Sequence, residues 1–167
     1  MKKLLSIVLA VSLMALTACG GSADSSTAGS KYVFKSGDTV IAANAKAEPI
    51  IAALGEPKNY HESESCAFKG LDKEYTYPGF VITTYPKDGV DYIYTVVLTD
   101  DTVSIPEGIS IGSNETDVKA KLGDPTGHVG GAGYQYQDGD CEMLVVFDED
   151  TATTVQSITY YAQVDIQ

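Results

Sequence analysis

The 167-residue chain carries a net charge of −12, with 11 lysines and no arginine. Gripping a phosphate backbone takes a basic footprint, so nucleic acid is excluded as a partner, and anionic lipid headgroups repel the chain as well. Tyrosine is over-used, with 11 residues against 4 phenylalanines and no tryptophan.

Lys2 and Lys3 precede an apolar run from Leu4 to Leu16, which ends in Leu16-Thr17-Ala18-Cys19. A basic start, a short apolar stretch and a small-residue cleavage site make a secretory signal. The cysteine after the cut gives it the layout of a bacterial lipoprotein signal peptide. The run is too short for a bilayer span, which takes ~20 residues. The reading is a signal peptide over 1–18, a diacylglyceryl group on Cys19, and a location on the extracytoplasmic face of a bacterial membrane. Residues 19–30 hold no large apolar side chain and read as a lipid-bearing flexible tether. Residues 31–167 are the length of one domain.

Within that domain a short lead-in strand is expected over Thr39–Ala42. Ile50-Ile51-Ala52-Ala53-Leu54-Gly55-Glu56-Pro57 then aligns with Val118-Lys119-Ala120-Lys121-Leu122-Gly123-Asp124-Pro125. Each copy puts an aliphatic residue four before a leucine, which is one helical face. Each ends in glycine, an acid and proline, a helix stop. Pro49 is tolerable in the first copy only in the first turn. Asn114 is expected to cap the second helix, with Asp117 completing an imperfect capping box.

Strands follow each helix. After the first come Tyr60–Phe68, Glu74–Tyr77, Phe80–Tyr85 and Asp91–Thr99, with turns at Pro78-Gly79 and Lys87-Asp88-Gly89. After the second come Gly133–Gln137, Cys141–Phe147 and Val155–Tyr161. Gly127–Gly133 reads as a flexible hairpin or connection. Tyr75-Thr76-Tyr77 corresponds to Tyr134-Gln135-Tyr136, each just before a hairpin. The expected class is α+β, a tandem repeat of a short helix followed by an antiparallel meander, with copies at about 38–103 and 108–161.

Gly112-Ser113-Asn114-Glu115-Thr116-Asp117-Val118, with Leu122-Gly123-Asp124-Pro125, resembles the helical motif of beta-lactamase-inhibitor-like domains and of small outer-membrane assembly lipoproteins. Residues Ser65 to Tyr77 resemble a set of bacterial lipoproteins of this architecture. The resemblance spans about Asp38 to Tyr161. It implies a tandem repeat with both helices on one face of a curved sheet. It supplies no inhibitory loop, so inhibition of a secreted enzyme is an analogy of fold.

Chemistry is sparse. His61 and His128 are in no metal-ligand spacing and read as surface residues, so no metal or cofactor is expected. Asp138-Gly139-Asp140 starts like a calcium loop, but Met143 occupies the glycine position, and a hairpin turn fits better. Asp148-Glu149-Asp150 reads as a solvated turn. Cys66 and Cys141 are an even pair in an oxidising compartment, read as a bridge against the alternative of two buried thiols. Tyr92 and Tyr94 alternate with Ile93 and Thr95 and are expected to share the sheet face that no helix covers. No nucleophile, base and orienter set emerges. The favoured reading is therefore a non-catalytic binding module for an envelope protein, peptide or glycan. An exported hydrolase or a thiol-based redox protein using Cys66 or Cys141 is the alternative.

Overall fold

A computed structural model describes residues 30–164. The signal peptide and Cys19 lie outside them. The described chain is α+β: a hairpin, two short helices and one large antiparallel sheet. Phe34–Ser36 (β1) and Thr39–Ile41 (β2) form the hairpin, followed by helix α1, Ala47–Leu54. Four strands come next: Asn59–Glu64 (β3), Leu71–Tyr77 (β4), Phe80–Lys87 (β5) and Val90–Leu98 (β6). Helix α2 spans Glu115–Leu122. Four more strands follow it: Gly127–Val129 (β7), Gly133–Asp138 (β8), Cys141–Phe147 (β9) and Val155–Ala162 (β10). The eight strands lie in the order β3-β4-β5-β6-β10-β9-β8-β7, so each helix leads into one half of the sheet and the halves meet at β6 and β10.

Both helices end as their sequences dictate. Gly55 and Gly123 share φ 79° and ψ −162°, a backbone that side chains resist, and each N–H bonds back to the helix, at Ile51 O and Lys119 O. Pro49 is the third helical residue, where a missing N–H costs nothing. The capping expectation fails at α2. Asn114 has extended backbone at the cap position but makes no side-chain cap bond. The first helical N–H, that of Glu115, instead donates to the Thr153 carbonyl at 2.8 Å. The N–H of Asp117, which a capping Asn114 side chain would have received, donates to the Asn114 backbone carbonyl at 3.0 Å instead.

The core lies on one side of the sheet. Tyr75, Ile82, Val96, Tyr160, Met143 and Tyr136 are register partners across six strands, and all but Tyr75 are at most 1% exposed. Both helices sit on this side. The Tyr77 hydroxyl donates to Gly55 O and the Tyr136 hydroxyl to Gly123 O, each at 3.3 Å. The hairpin closes the same side by placing Phe34 against Phe80 and Tyr160. β1 was not expected, β7 pairs with β8 as a hairpin in the stretch read as a hairpin or connection, and β3 stops at Glu64 rather than Phe68. There the chain turns back: Ser65 N–H reaches Gly70 O, and the Ser65 hydroxyl accepts from the N–H groups of Ala67 and Phe68. The outer edge is β3, and all six of its residues are exposed.

The Cys66–Cys141 bridge does not form, and both thiols are free. Cys66 is exposed in the β3–β4 loop. Cys141 follows the odd-numbered alternation of β9 into the core, where its thiol donates to Tyr32 O at 3.1 Å. Burial pushes its pKa up. In the folded chain Cys66 should therefore react quickly with an alkylating reagent, whereas Cys141 should react only after denaturation. Mass spectrometry of labelled peptides checks this, and a single labelled site before unfolding is the expected result.

Two further outcomes follow from packing and charge. Phe34→Ala removes a fully buried ring and should cost about 3–5 kcal/mol in urea unfolding, against about 0.5 kcal/mol or less for the exposed Val40→Ala. Asp148, in the turn after β9, accepts the hydroxyl and N–H of Thr151 and the N–H groups of Thr153 and Thr154. Thr151 foremost holds its carboxyl below the usual carboxylate range. A depressed folded pKa adds stability that is complete above the ordinary value of about 3.9 and is lost as pH falls through the folded one. Asp148→Asn should thus lower the melting temperature at neutral pH, with the gap to the parent shrinking as the pH drops below about 4.

Candidate recognition surface

Among the described residues, the sheet side away from the helices carries no helix and no second sheet. Strict alternation assigns its side chains. Asn59, Thr76, Val81, Val97, Thr159, Leu144 and Gln135 are successive register partners from β3 to β8 and form one row. His61, Glu74, Thr83, Thr95, Tyr161, Glu142 and Gln137 form the neighbouring row. The middle of this face is threonine with aliphatic residues. Val81, Val97, Leu144, Val146 and Tyr161 are half-buried, while Thr95 and Thr159 are crowded to 8% and 6% exposure by their neighbours. The hydroxyls of Thr83 and Thr95 bond at 2.7 Å across the strands. Charge is confined to the flanks, at Glu74 toward one edge and Glu142 toward the other.

Tyr92 and Tyr94 occupy one end of this face. Tyr85 alternates with Thr83 along β5, and Tyr92 is its cross-strand partner, with ring centroids 5.7 Å apart. Tyr94 lies 5.9 Å from Tyr85, edge to face. A one-residue bulge explains the arrangement: Thr83 pairs with Thr95 and Thr84 with Ile93, which leaves Tyr94 as the extra residue. The expected alternation is therefore broken, because Tyr94 and Thr95 lean to the same side. Neither ring is free. The Ser65–Gly70 loop brings Phe68 to 5.0 Å from Tyr85, and Tyr85, now 1% exposed, donates its hydroxyl to Asn44 Oδ1 at 2.5 Å. Tyr92 and Tyr94 are half-buried members of this cluster. Val97, Leu144 and Tyr161 were not singled out from the sequence. The signal was there, in the half-apolar runs of β6, β9 and β10, but only register joins them.

Most of the remaining tyrosines serve the helix side. The Tyr134 hydroxyl donates to Glu115, and Lys119 pairs with Glu115 at 2.7 Å while sitting over the Tyr134 ring. Lys119 and then Tyr134 hold the Glu115 carboxyl below its ordinary value. Burial pushes the Tyr136 hydroxyl up to about 12, which keeps it a donor. The histidines lie on the two opposite edge strands, β3 and β7, roughly 30 Å apart at the usual strand spacing. They cannot share a metal or a proton. No group of three histidine, cysteine or acidic residues among the described residues has metal-binding geometry. Asp138-Gly139-Asp140 is the β8–β9 hairpin turn, with Gly139 at φ 59°.

No protein-family model matches the chain, and no curated protein matches it. Two solved structures are similar. A DUF4309 family protein, YjgB, of Bacillus subtilis aligns at 15% identity and a TM-score of 0.44, covering 73% of this chain and 81% of its own. An extracellular protein containing an SCP domain, from Bacillus anthracis, aligns at 10% identity and a TM-score of 0.42. That match covers 80% of this chain, which spans about half (49%) of the Bacillus anthracis chain.

Proposed function

We propose that the chain is a lipid-anchored extracytoplasmic protein whose domain is a non-catalytic binding module, engaging an envelope protein, peptide or glycan through the sheet face opposite the helices. The observation that carries this reading is the pair of transverse rows on that face. They present partly exposed valine, leucine and tyrosine around the buried Thr95 and Thr159 in a continuous strip with charge only at its flanks. Interface cores are depleted in charge and enriched in aromatics in the same way. An antiparallel sheet tolerates one uncovered face, so the strip needs no structural excuse. The anchor rests on Leu16-Thr17-Ala18-Cys19, with the diacylglyceryl group on Cys19.

We further read the domain as two copies of one unit, in keeping with its resemblance to beta-lactamase-inhibitor-like domains. Equal backbone angles at Gly55 and Gly123, and the matching bonds from Tyr77 and Tyr136, support the duplication.

The test is crosslinked capture from intact cells. Val97→Lys with Leu144→Lys puts two charges into the centre of the strip at partly exposed positions, which should leave melting behaviour close to the parent. Loss of a well-packed anchor typically costs ~2 kcal/mol or more, so capture should fall at least about thirtyfold. Tyr92→Ala with Tyr94→Ala should reduce it as well. Full capture by the folded lysine variant refutes the assignment of the face. Cys19→Ala should separately release the protein from membranes or leave an uncleaved precursor.

A further inference from the structure

A cleft of about 500 Å³ opens at the end of the sheet beside the Tyr85 cluster. Ligand sites run from about 300 to 1,000 Å³, so its size suits a small molecule. Five separate stretches of chain build it: Asn44 after β2, the Ser65–Gly70 loop, the β5–β6 turn, Asp140 in the β8–β9 turn, and Gln163 after β10. Both halves of the sheet thus contribute. The Gln163 N–H, bonded to Asp140 O at 2.8 Å, ties the second half's two segments together. Phe68 and Pro86 give the cleft apolar wall, and the Tyr85 hydroxyl is already committed to Asn44.

The charges are the informative part. Lys69, Lys87, Asp88 and Asp140 all line the cleft. Among the described residues, ion pairs join Lys73 to Asp91 and Lys119 to Glu115, and neither Lys69 nor Lys87 comes within pairing distance of a carboxylate. The cleft therefore holds two lysines and two aspartates, all exposed at its rim, with no direct ion pair among them. A simple anion is attracted by the lysines and repelled by the aspartates, and a simple cation meets the reverse. A ligand carrying both signs, with some apolar substance between, satisfies all four groups and the Phe68–Pro86 wall.

We propose that this cleft binds a small zwitterion of the amino acid or dipeptide class. Lys69 and Lys87 receive its carboxylate, Asp88 and Asp140 its ammonium group, and the side chain lies against Phe68 and Pro86. The site is distinct from the threonine-valine strip and stands or falls independently of it.

Calorimetric titration of the full chain in detergent with alanyl dipeptides differing in the second residue tests this, using each dipeptide free, N-acetylated and as its C-terminal amide. Saturable binding of a free dipeptide, weakened at least tenfold by either cap, is the expected result. Lys69→Gln with Lys87→Gln should abolish the preference for acid over amide. Asp88→Asn with Asp140→Asn should abolish the preference for free amine over acetyl. These are loop and turn positions, and an unchanged melting temperature establishes that each variant is folded. Three results would overturn the proposal: no saturable binding of any free dipeptide at millimolar concentration, equal affinity for capped and free forms, or folded variants that keep both preferences.

Discussion

A short seam holds the molecule to one design. The two halves of the sheet join only where β6 meets β10, over Val97–Thr159, Val96–Tyr160 and Thr95–Tyr161. Side chains in a strand alternate, so slipping β10 by one residue against β6 would turn Tyr160 and Ile158 out of the core beside Val96 and turn Thr159 into it. Tyr160 and Ile158 are at most 1% exposed, and burying such side chains is worth about 1.5–3 kcal/mol each. A slip would therefore forfeit several kcal/mol, a large part of the stability of an ordinary domain. The seam thereby fixes which residues form the strip on the helix-free side and brings Asp140 round to face the β5–β6 turn.

The tyrosine excess has a structural cause that composition alone does not reveal. A short helix leaves carbonyls unpaired at its end, and they lie over an apolar sheet. Phenylalanine would fill the space beneath but leave those carbonyls bare. Tyr77 and Tyr136 fill it and donate as well, one under each helix end. Tyr85 does the same for Asn44, and Tyr134 for the Glu115 carboxylate. Most of the rings thus act as core residues with a polar tip, and Tyr161 is the one most squarely placed for recognition.

The helices and most strands were legible because their signals are local. Gly-acid-Pro stops a helix wherever it sits, and Cys141 to Phe147 alternates cleanly enough to give β9 its full extent. The misses are non-local. Gly127-His128-Val129 has one apolar residue and becomes a strand only because β8 offers it an edge. Phe34-Lys35-Ser36 pairs for the same reason with β2. The bulge at Tyr94 leaves no trace in residue type, since tyrosine, threonine and valine all suit a strand. The cysteine pair failed because evenness of number says nothing about which side of a sheet each thiol occupies. An open face was expected, but the residues that make the strip and the cleft were not, since both are assembled from segments that only the sheet order brings together.

The sheet is open at both ends, and its two edges are unequal. β7 is three residues long and offers little to pair with. β3 is six residues long and exposed throughout, a ready template for another strand. Its protection is electrostatic. Glu62 and Glu64 alternate with Ser63 along the edge, and a second chain laying its own β3 alongside would bring like charges together at neutral pH. The same edge carries Tyr60, 46% exposed, beside those carboxylates. The surplus of carboxylates that sets the charge of the whole chain thus also covers the one sheet edge long enough to grow by strand addition.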